Sequence, residues 1–174
     1  LSDSDWSVVE GDEYQVSISD KRPKFVYYSP THLLLTSVSW DHADLYPTEA
    51  DYFKVFEDLV TKTKIIVACN DDGGVKKVLK NKTAVTYGKT ASADYFYHNV
   101  QHTKNGLSFV ITNKGTDYSV ASPMLGRFNA ENIAGAFAMA AEIGIAPEKI
   151  IMAIKGFKGI KRRFEKRFSF GKRD

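Results

Sequence analysis

Residues 48–87 read TEADYFKVFEDLVTKTKIIVACNDDGGVKKVLKNKTAVTY, and this stretch decides the fold. Thr48 and Asp51 form a partial capping pattern behind Pro47, and Tyr52, Phe56, Leu59 and Val60 share one face at helical spacing, which predicts an amphipathic helix of about four turns. Lys64 to Ala68 is a β-branched strand closed by Asn70-Asp-Asp-Gly-Gly74. A short helix over Val75 to Leu79 and a strand over Thr83 to Tyr87 follow. Strand alternating with helix predicts a mostly parallel sheet with flanking crossover helices, an α/β fold.

Upstream, Trp6 to Glu10 is a short apolar run expected to be a buried strand that delivers Glu10, Asp12 and Glu13 at its C-terminal end. Lys24 to Tyr28 and Leu33 to Val38 read as two more apolar runs, and the second leads into Trp40-Asp41-His42-Ala43-Asp44. In a parallel sheet both acidic groups lie along the edge where open α/β sheets keep their chemistry, and they offer oxygen ligands and one imidazole to a divalent ion. Taken singly, Asp12 and Asp44 read equally well as loop caps, and because magnesium prefers oxygen ligands an imidazole by itself points to zinc or iron.

Downstream of Gly88 the pattern changes. Residues 94–121 alternate polar with aromatic or β-branched positions and turn at Lys104-Asn105-Gly106 and Asn113-Lys114-Gly115, which predicts a small antiparallel sheet of three strands. Asn129 is placed to cap a helix over Glu131 to Ile143 that stops at Gly144, and Pro147 opens another with Ile150, Ile151, Ile154 and Phe157 on its core face.

Composition bounds the rest. The chain has 174 residues, 43% hydrophobic, 13% aromatic and 26% charged, enough for one ordinary core and unlike a disordered, collagen-like or coiled-coil chain. One cysteine, Cys69, is too few for an intrachain disulfide or a cysteine-based metal site and points to a reducing compartment, and it sits in an apolar strand where an inert core thiol is expected. The longest apolar stretch, Ile133 to Ala141, falls far short of the roughly 20 residues that span a bilayer, and the first residues are not a basic, apolar leader. The expectation is a soluble, cytoplasmic protein. The net charge of +3 divides unevenly: Lys155 to Asp174 carries +7 and the remainder −4. That basic end reads either as a solvated helix end and tail or as a phosphate-facing segment.

Several chemistries are disfavoured. Gly88-Lys89-Thr90 imitates the end of a phosphate loop, but the first glycine would have to stand at Thr83 and the next segment is strand-like, so it is a turn. No Gly-x-Ser-x-Gly elbow supports nucleophilic hydrolysis. Tyr95, Phe96, Tyr97 and Phe109 could stack on bases, yet at strand period they build a sheet face, which disfavours nucleic acid as a partner.

Five motifs in order carry a resemblance. Val8-Val-Glu-Gly-Asp-Glu-Tyr14, Asp20-Lys-Arg-Pro-Lys-Phe25, Trp40-Asp-His-Ala-Asp-Leu-Tyr46, Gly126-Arg-Phe-Asn-Ala-Glu-Asn132 and Phe157-Lys-Gly-Ile-Lys-Arg-Arg-Phe-Glu165 resemble the central ATPase domain of the Mur ligases of peptidoglycan synthesis. The first two look most like the ligases that recycle the tripeptide L-alanyl-γ-D-glutamyl-meso-diaminopimelate onto UDP-N-acetylmuramate. The L-alanine-adding ligases come next, and the folylpolyglutamate synthetases, which share the domain, are more distant.

The resemblance implies ATP and Mg2+ as cofactors, with Glu10 and His42 as metal-site residues and Asn129, Asn132 and Arg163 as ATP-binding residues, Asn132 being the adenine contact. It implies a P-loop NTPase-like fold, UDP-N-acetylmuramate and a peptide or amino acid as partners, and an amide formed through an acyl phosphate. Ser37 and Phe128 depart from the family's usual Asn and His. Phe56, Glu57 and Asp58 stand where several relatives carry a modified lysine, so no such lysine is transferred.

The family's Walker A loop, expected several dozen residues before Trp6, is not matched. The resulting expectation is a partial central domain over 1–170, a linker starting at 171–174, substrates held mainly by domains outside the chain, and no activity for this piece by itself. The rival from another class is a non-catalytic module that binds a nucleotide or nucleic acid through its basic end.

Overall fold

The computed structural model describes residues 5–160. Its parallel half follows the alternation of residues 48–87 and extends it by a strand on each side: β1 (His32–Leu35), α1 (Glu49–Lys62), β2 (Ile65–Cys69), α2 (Gly73–Leu79), β3 (Val85–Gly88) and β4 (Tyr95–Thr103). Thr48 caps α1 as its sequence dictates. Its side chain accepts the Asp51 N–H at 3.2 Å, and the Asp51 carboxylate reaches back to the Thr48 N–H at 3.2 Å. Asp72 caps α2 in the same way, accepting the Val75 N–H at 2.7 Å.

Strands β1 to β4 run parallel in sequence order, and β5 (Gly106–Asn113) and β6 (Thr116–Ser122) continue from β4 as an antiparallel meander. Both predicted strand sets are present, but they form one six-stranded sheet, because β4 pairs with β3 at Tyr87–Tyr95 and Gly88–Phe96. That junction is made without a crossover helix. The Asp94 carboxylate takes the Thr86 N–H at 2.8 Å and the Thr86 hydroxyl at 2.7 Å, pinning the turn that brings the chain back alongside β3.

Each face of the sheet carries its own core. On one, Tyr52, Phe56, Leu59 and Val60 of α1 and Val75 and Val78 of α2 pack with Leu35, Ile66 and Ala68. On the other, α3 (Phe128–Glu142) lays Ile133, Ala134, Phe137 and Ala138 across Val67, Tyr87, Tyr95, Leu107 and Ile111, and α4 (Pro147–Gly156) flanks it. Tyr95, Tyr97 and Phe109 build this sheet face as expected, but Phe96, out of phase with them in the two-residue strand period, is not part of that core and stacks on His98.

Four local expectations are corrected. Trp6 to Glu10 is not a buried strand: its described backbone is not strand, the Trp6 ring packs edge-on against His32, and Val8 is 97% and Val9 60% exposed. A buried strand needs a ladder on its edges, and the six-stranded sheet of the described residues begins only at β1. Lys24 to Tyr28 is a 3-10 turn (Lys24–Tyr27), because Pro23 ahead of it removes a ladder donor. Asn129 is not a helix cap. The helix begins earlier, at Phe128 after Gly126 in the left-handed region (φ 89°), which puts Asn129 inside the first turn. On α4 only Ile150 of the four predicted core positions is fully buried, and Phe157 remains 48% exposed.

Candidate functional site

The parallel strands β1, β2 and β3 end at Leu35, Cys69 and Gly88, and the loops beyond them are tied together by buried and half-buried contacts. Besides capping α2, the Asp72 carboxylate accepts the Val38 N–H at 3.3 Å. Gly74 lies so close to the same loop that a Cβ there would stand 1.8 Å from the Val38 carbonyl oxygen. The segment after β1 is therefore anchored to α2 before it reaches its polar residues.

That segment is a tight turn centred on His42. The His42 backbone is left-handed (φ 54°), its N–H donates to the Asp41 carboxylate at 2.6 Å, and its carbonyl accepts from Leu45 and Tyr46 at 2.8 and 2.9 Å. The Trp40 indole N–H closes the turn on the Tyr46 carbonyl at 3.0 Å. The turn then meets the first acidic group. Tyr46 Oη donates to the Glu13 carbonyl at 2.6 Å, His42 Nε2 lies 3.2 Å from Glu13 Oε1, and the Tyr14 ring packs edge-on against the His42 ring. The expected strand ahead of the first group is absent, and it is Glu13, carried on the N-terminal loop, that meets the His42 turn.

Within Glu10-Gly-Asp-Glu13 the three carboxylates are differently committed. Asp12 accepts the Lys24 ammonium at 2.7 Å and the Tyr14 N–H at 2.8 Å, and Glu13 holds His42. Glu10 is exposed and makes no hydrogen bond or ion pair among the described residues. It is the carboxylate left available to an external cation, and the set of carboxylates with one imidazole suits a hard divalent ion. His42 is the neighbour of Glu13, and no direct contact joins it to Glu10.

The hydrogen bond from Lys24 is the largest influence on Asp12 and, with the Tyr14 N–H, holds its carboxyl below the ordinary value of 3.8. Because the folded value is depressed, the pair stabilises the fold above pH about 4, and that contribution is lost as pH falls through the folded value. Replacing Lys24 by Met is expected to return the Asp12 titration, followed by carboxyl carbon NMR, toward 3.8. An unchanged titration would show that the ion pair is not what sets it. Burial, chiefly, pushes the Tyr46 hydroxyl up to about 12, so it is a hydrogen-bond donor throughout the physiological range.

The second part of the site lies on α3. Asn129 is buried (4% exposed) and donates through Nδ2 to the Leu125 carbonyl at 2.6 Å, and Asn132 Nδ2 approaches Asn129 Oδ1 at 3.4 Å. The two amides border a cleft of about 730 Å³ between the end of β6, α3 and α4, walled by Ile133, Phe137, Ile150 and Phe157. Asn132 has its Oδ1 and one Nδ2 hydrogen uncommitted by these contacts. A planar base offering an exocyclic amine beside a ring nitrogen is matched by that donor–acceptor pair. The apolar walls supply the stacking surface.

Of the metal-site candidates, His42 belongs to the loop beyond β1 and Glu10 to the N-terminal segment that meets this loop at Glu13, while the amides belong to the first turn of α3. Both neighbour β2, one set through Asp72 and Val38 and the other through Glu131, which approaches Cys69 and Asp71. Arg163 lies outside the described residues.

Three participants were not singled out from sequence. Glu13, which fixes His42, was weighed only as one of a group. Asp72 carried a readable signal, an Asp three residues ahead of an apolar helical position. Asp71 carried none, since it acts through Lys89 and Thr90, its carboxylate accepting the Lys89 N–H at 2.6 Å and the Thr90 hydroxyl. The Gly88-Lys89-Thr90 segment is accordingly a turn folded onto Asp71, and it leads into β4, not into a helix.

No helix among the described residues is long and apolar enough to cross a membrane. The chain is 30% identical over 181 residues to the UDP-N-acetylmuramate–L-alanine ligase of Pelagibacter ubique (strain HTCC1062), covering 97% of this chain and 38% of that protein. It is 36% identical over 171 residues to the ligase of the same name from Arthrobacter sp. (strain FB24), covering 93% and 34%. It therefore spans about a third of the length of these relatives.

Among solved structures, the UDP-N-acetylmuramate:L-alanyl-γ-D-glutamyl-meso-diaminopimelate ligase of Neisseria meningitides matches with a TM-score of 0.72 and 25% identity, over 88% of this chain and 48% of that one. The UDP-N-acetylmuramate-alanine ligase of Thermotoga maritima has the same fold, with a TM-score of 0.72 and 20% identity over 86% of this chain and 36% of that one. The Mur ligase middle domain model matches residues 3–140, from the acidic loop through β1–β6 and most of α3, and the chain belongs to the Mur ligase family.

Proposed function

We propose that residues 1–170 are part of the ATP-binding middle domain of a longer ligase that joins an amine to the carboxyl group of UDP-N-acetylmuramate. Its other domains would hold the sugar nucleotide and the incoming amine. The observation that carries the nucleotide reading is the Asn129–Asn132 amide pair at the mouth of an apolar cleft, in a family middle domain. In this reading Asn132 contacts adenine, Asn129 positions it through the Leu125 carbonyl, and Arg163 meets phosphate or ribose oxygens with its guanidinium fork. Glu10 holds the magnesium ion and His42, oriented by Glu13, borders the same metal region. Bound magnesium supplies charge neutralisation at the phosphate oxygens.

The reaction balances in two steps. A carboxylate oxygen of the muramoyl group attacks the γ-phosphorus of ATP and ADP leaves; the amine then attacks the acyl phosphate, loses a proton, and expels inorganic phosphate as the amide forms. ATP and UDP-sugar as substrates place the reaction in the cytoplasm. The chain by itself is not expected to turn over ATP, because the Gly88-Lys89-Thr90 turn has given its Lys89 N–H and Thr90 hydroxyl to Asp71 and no other segment among the described residues offers a phosphate cradle.

For the amine, the Glu-Gly-Asp-Glu-Tyr and Asp-Lys-Arg-Pro-Lys-Phe motifs favour the tripeptide L-alanyl-γ-D-glutamyl-meso-diaminopimelate. The second reading, L-alanine, is favoured by the names of the curated relatives. Incubating the full-length protein with UDP-N-acetylmuramate, Mg-ATP and each amine in turn decides between them. We expect ADP and amide with the tripeptide; product with L-alanine alone would replace that choice, and product with neither would overturn the ligase reading. Affinity for single-stranded oligonucleotide that falls steeply with salt, without Mg-ATP binding, would support a nucleic-acid-binding module instead.

A further inference from the structure

The Tyr87 hydroxyl is fully buried and is without a hydrogen-bond partner among the described residues, a position that a polar group keeps only when something polar comes to meet it. Tyr87 stands opposite Cys69 in the parallel register of β2 and β3; its hydroxyl feels the Cys69 thiol and Glu131 as neighbours, but the approach to the thiol does not reach hydrogen-bond geometry. The ring is packed against α3 one turn beyond Glu131, at Gly135, where a Cβ would lie 2.8 Å from its Cζ, so the ring is fixed in place. The hydroxyl is thus held facing a cluster: Cys69 Sγ and carboxylate oxygens of Asp71 and Glu131 lie within 4.8 Å of one another.

Each carboxylate is supported from behind. Asp71 accepts the Lys89 N–H and the Thr90 hydroxyl, and Glu131 Oε2 accepts the Tyr97 hydroxyl at 3.2 Å. Outer partners of this kind orient ligands in metal sites. A triangle with 4.8 Å edges puts each donor about 2.8 Å from its centre, so ligation at about 2.0–2.3 Å needs inward movements of about half an ångström. Cys69 is buried while Asp71 and Glu131 are half-buried, which leaves an approach from the carboxylate side.

We propose that Cys69, Asp71 and Glu131 form a second cation site, distinct from the Glu10 and His42 region, that takes a borderline divalent ion of the zinc class, with a water hydrogen-bonded to Tyr87 as fourth ligand. A thiolate with two carboxylates selects such an ion over magnesium. As the sulfur–metal bond forms, the thiol proton passes to solvent and no oxidation state changes. The site stands independently of the ligase reading, and its readout is binding.

The test is titration of the chelator-stripped chain with cobalt(II) chloride, followed by absorbance. We expect one equivalent to bind with a thiolate-to-cobalt charge-transfer band, zinc to displace it, and magnesium in large excess to leave it. Cys69→Ser abolishes the band, and Glu131→Gln, which preserves size in a half-buried position, weakens binding about tenfold or more with an unchanged circular dichroism spectrum. No charge-transfer band, a band that survives Cys69→Ser, displacement by magnesium, or unaltered affinity in a folded Glu131→Gln protein would each overturn the proposal.

Discussion

Replacing Phe137 by Ala lowers the unfolding free energy of the chain by about 3–5 kcal/mol, the range for deleting a buried aromatic ring from a core that cannot close over the space. Phe137 is fully buried, and its ring meets Tyr95 edge-on at 6.1 Å and Tyr118 at 5.4 Å between centroids. Tyr95 is itself held by Glu142 at the far end of α3, so it cannot tilt into the space without giving up a 2.8 Å hydrogen bond. Small domains have only about 5–15 kcal/mol of stability, so the loss is visible as a large fall in the urea midpoint. Phe137 also walls the cleft beside Asn132, so the same change weakens Mg-ATP binding wherever the fold survives. A loss of unfolding free energy below about 1 kcal/mol would mean that α3 does not seal this face of the sheet.

On the proposed ligase reading, Glu10→Gln in the full-length protein is expected to lower kcat/KM for ATP by about 100-fold, since an amide retains the size of the carboxylate but not the charge a hard cation requires. Stability is unchanged within about 0.5 kcal/mol, because Glu10 is exposed and has no partner among the described residues. Glu13→Gln gives the contrasting result. Glu13 orients His42 at 3.2 Å, so its substitution costs about 10-fold through positioning, and extra magnesium does not restore the rate. Activity and magnesium dependence measured side by side separate the two residues. Full activity in Glu10→Gln would remove it from the metal site.

The division between what was legible in the sequence and what was not follows the range of the interactions. The Thr48–Asp51 capping box, the apolar stripe of α1, and the Gly106 and Gly115 turns of the meander are set by residues three or four apart, and each is found where its local chemistry puts it. The joining of the parallel and antiparallel strands was not legible. A parallel pair ordinarily needs a crossover of a dozen or more residues, and here the Asp94–Thr86 hydrogen bonds allow a six-residue connection between β3 and β4.

Trp6 to Glu10 has the composition of a buried strand, yet composition cannot supply the neighbouring strands that would bury it. In the candidate site, the two acidic groups were readable as clusters, but the strand expected ahead of the first is absent, and the His42–Glu13 contact spans 29 positions and depends on how two loops fold together. Asn129 was seen as a polar residue at a helix start; its actual use, holding the Leu125 carbonyl beside Asn132, required the position of the first turn.

The most direct measurement of the central claim uses the full-length protein and UDP-N-acetylmuramate labelled with oxygen-18 in the muramoyl carboxylate, with Mg-ATP and the accepting amine. If the carboxylate attacks the γ-phosphorus, one labelled oxygen leaves with inorganic phosphate when the amine displaces it, and ADP is unlabelled. Label appearing in AMP, or inorganic phosphate released without label while amide accumulates, would contradict the acyl phosphate ligase.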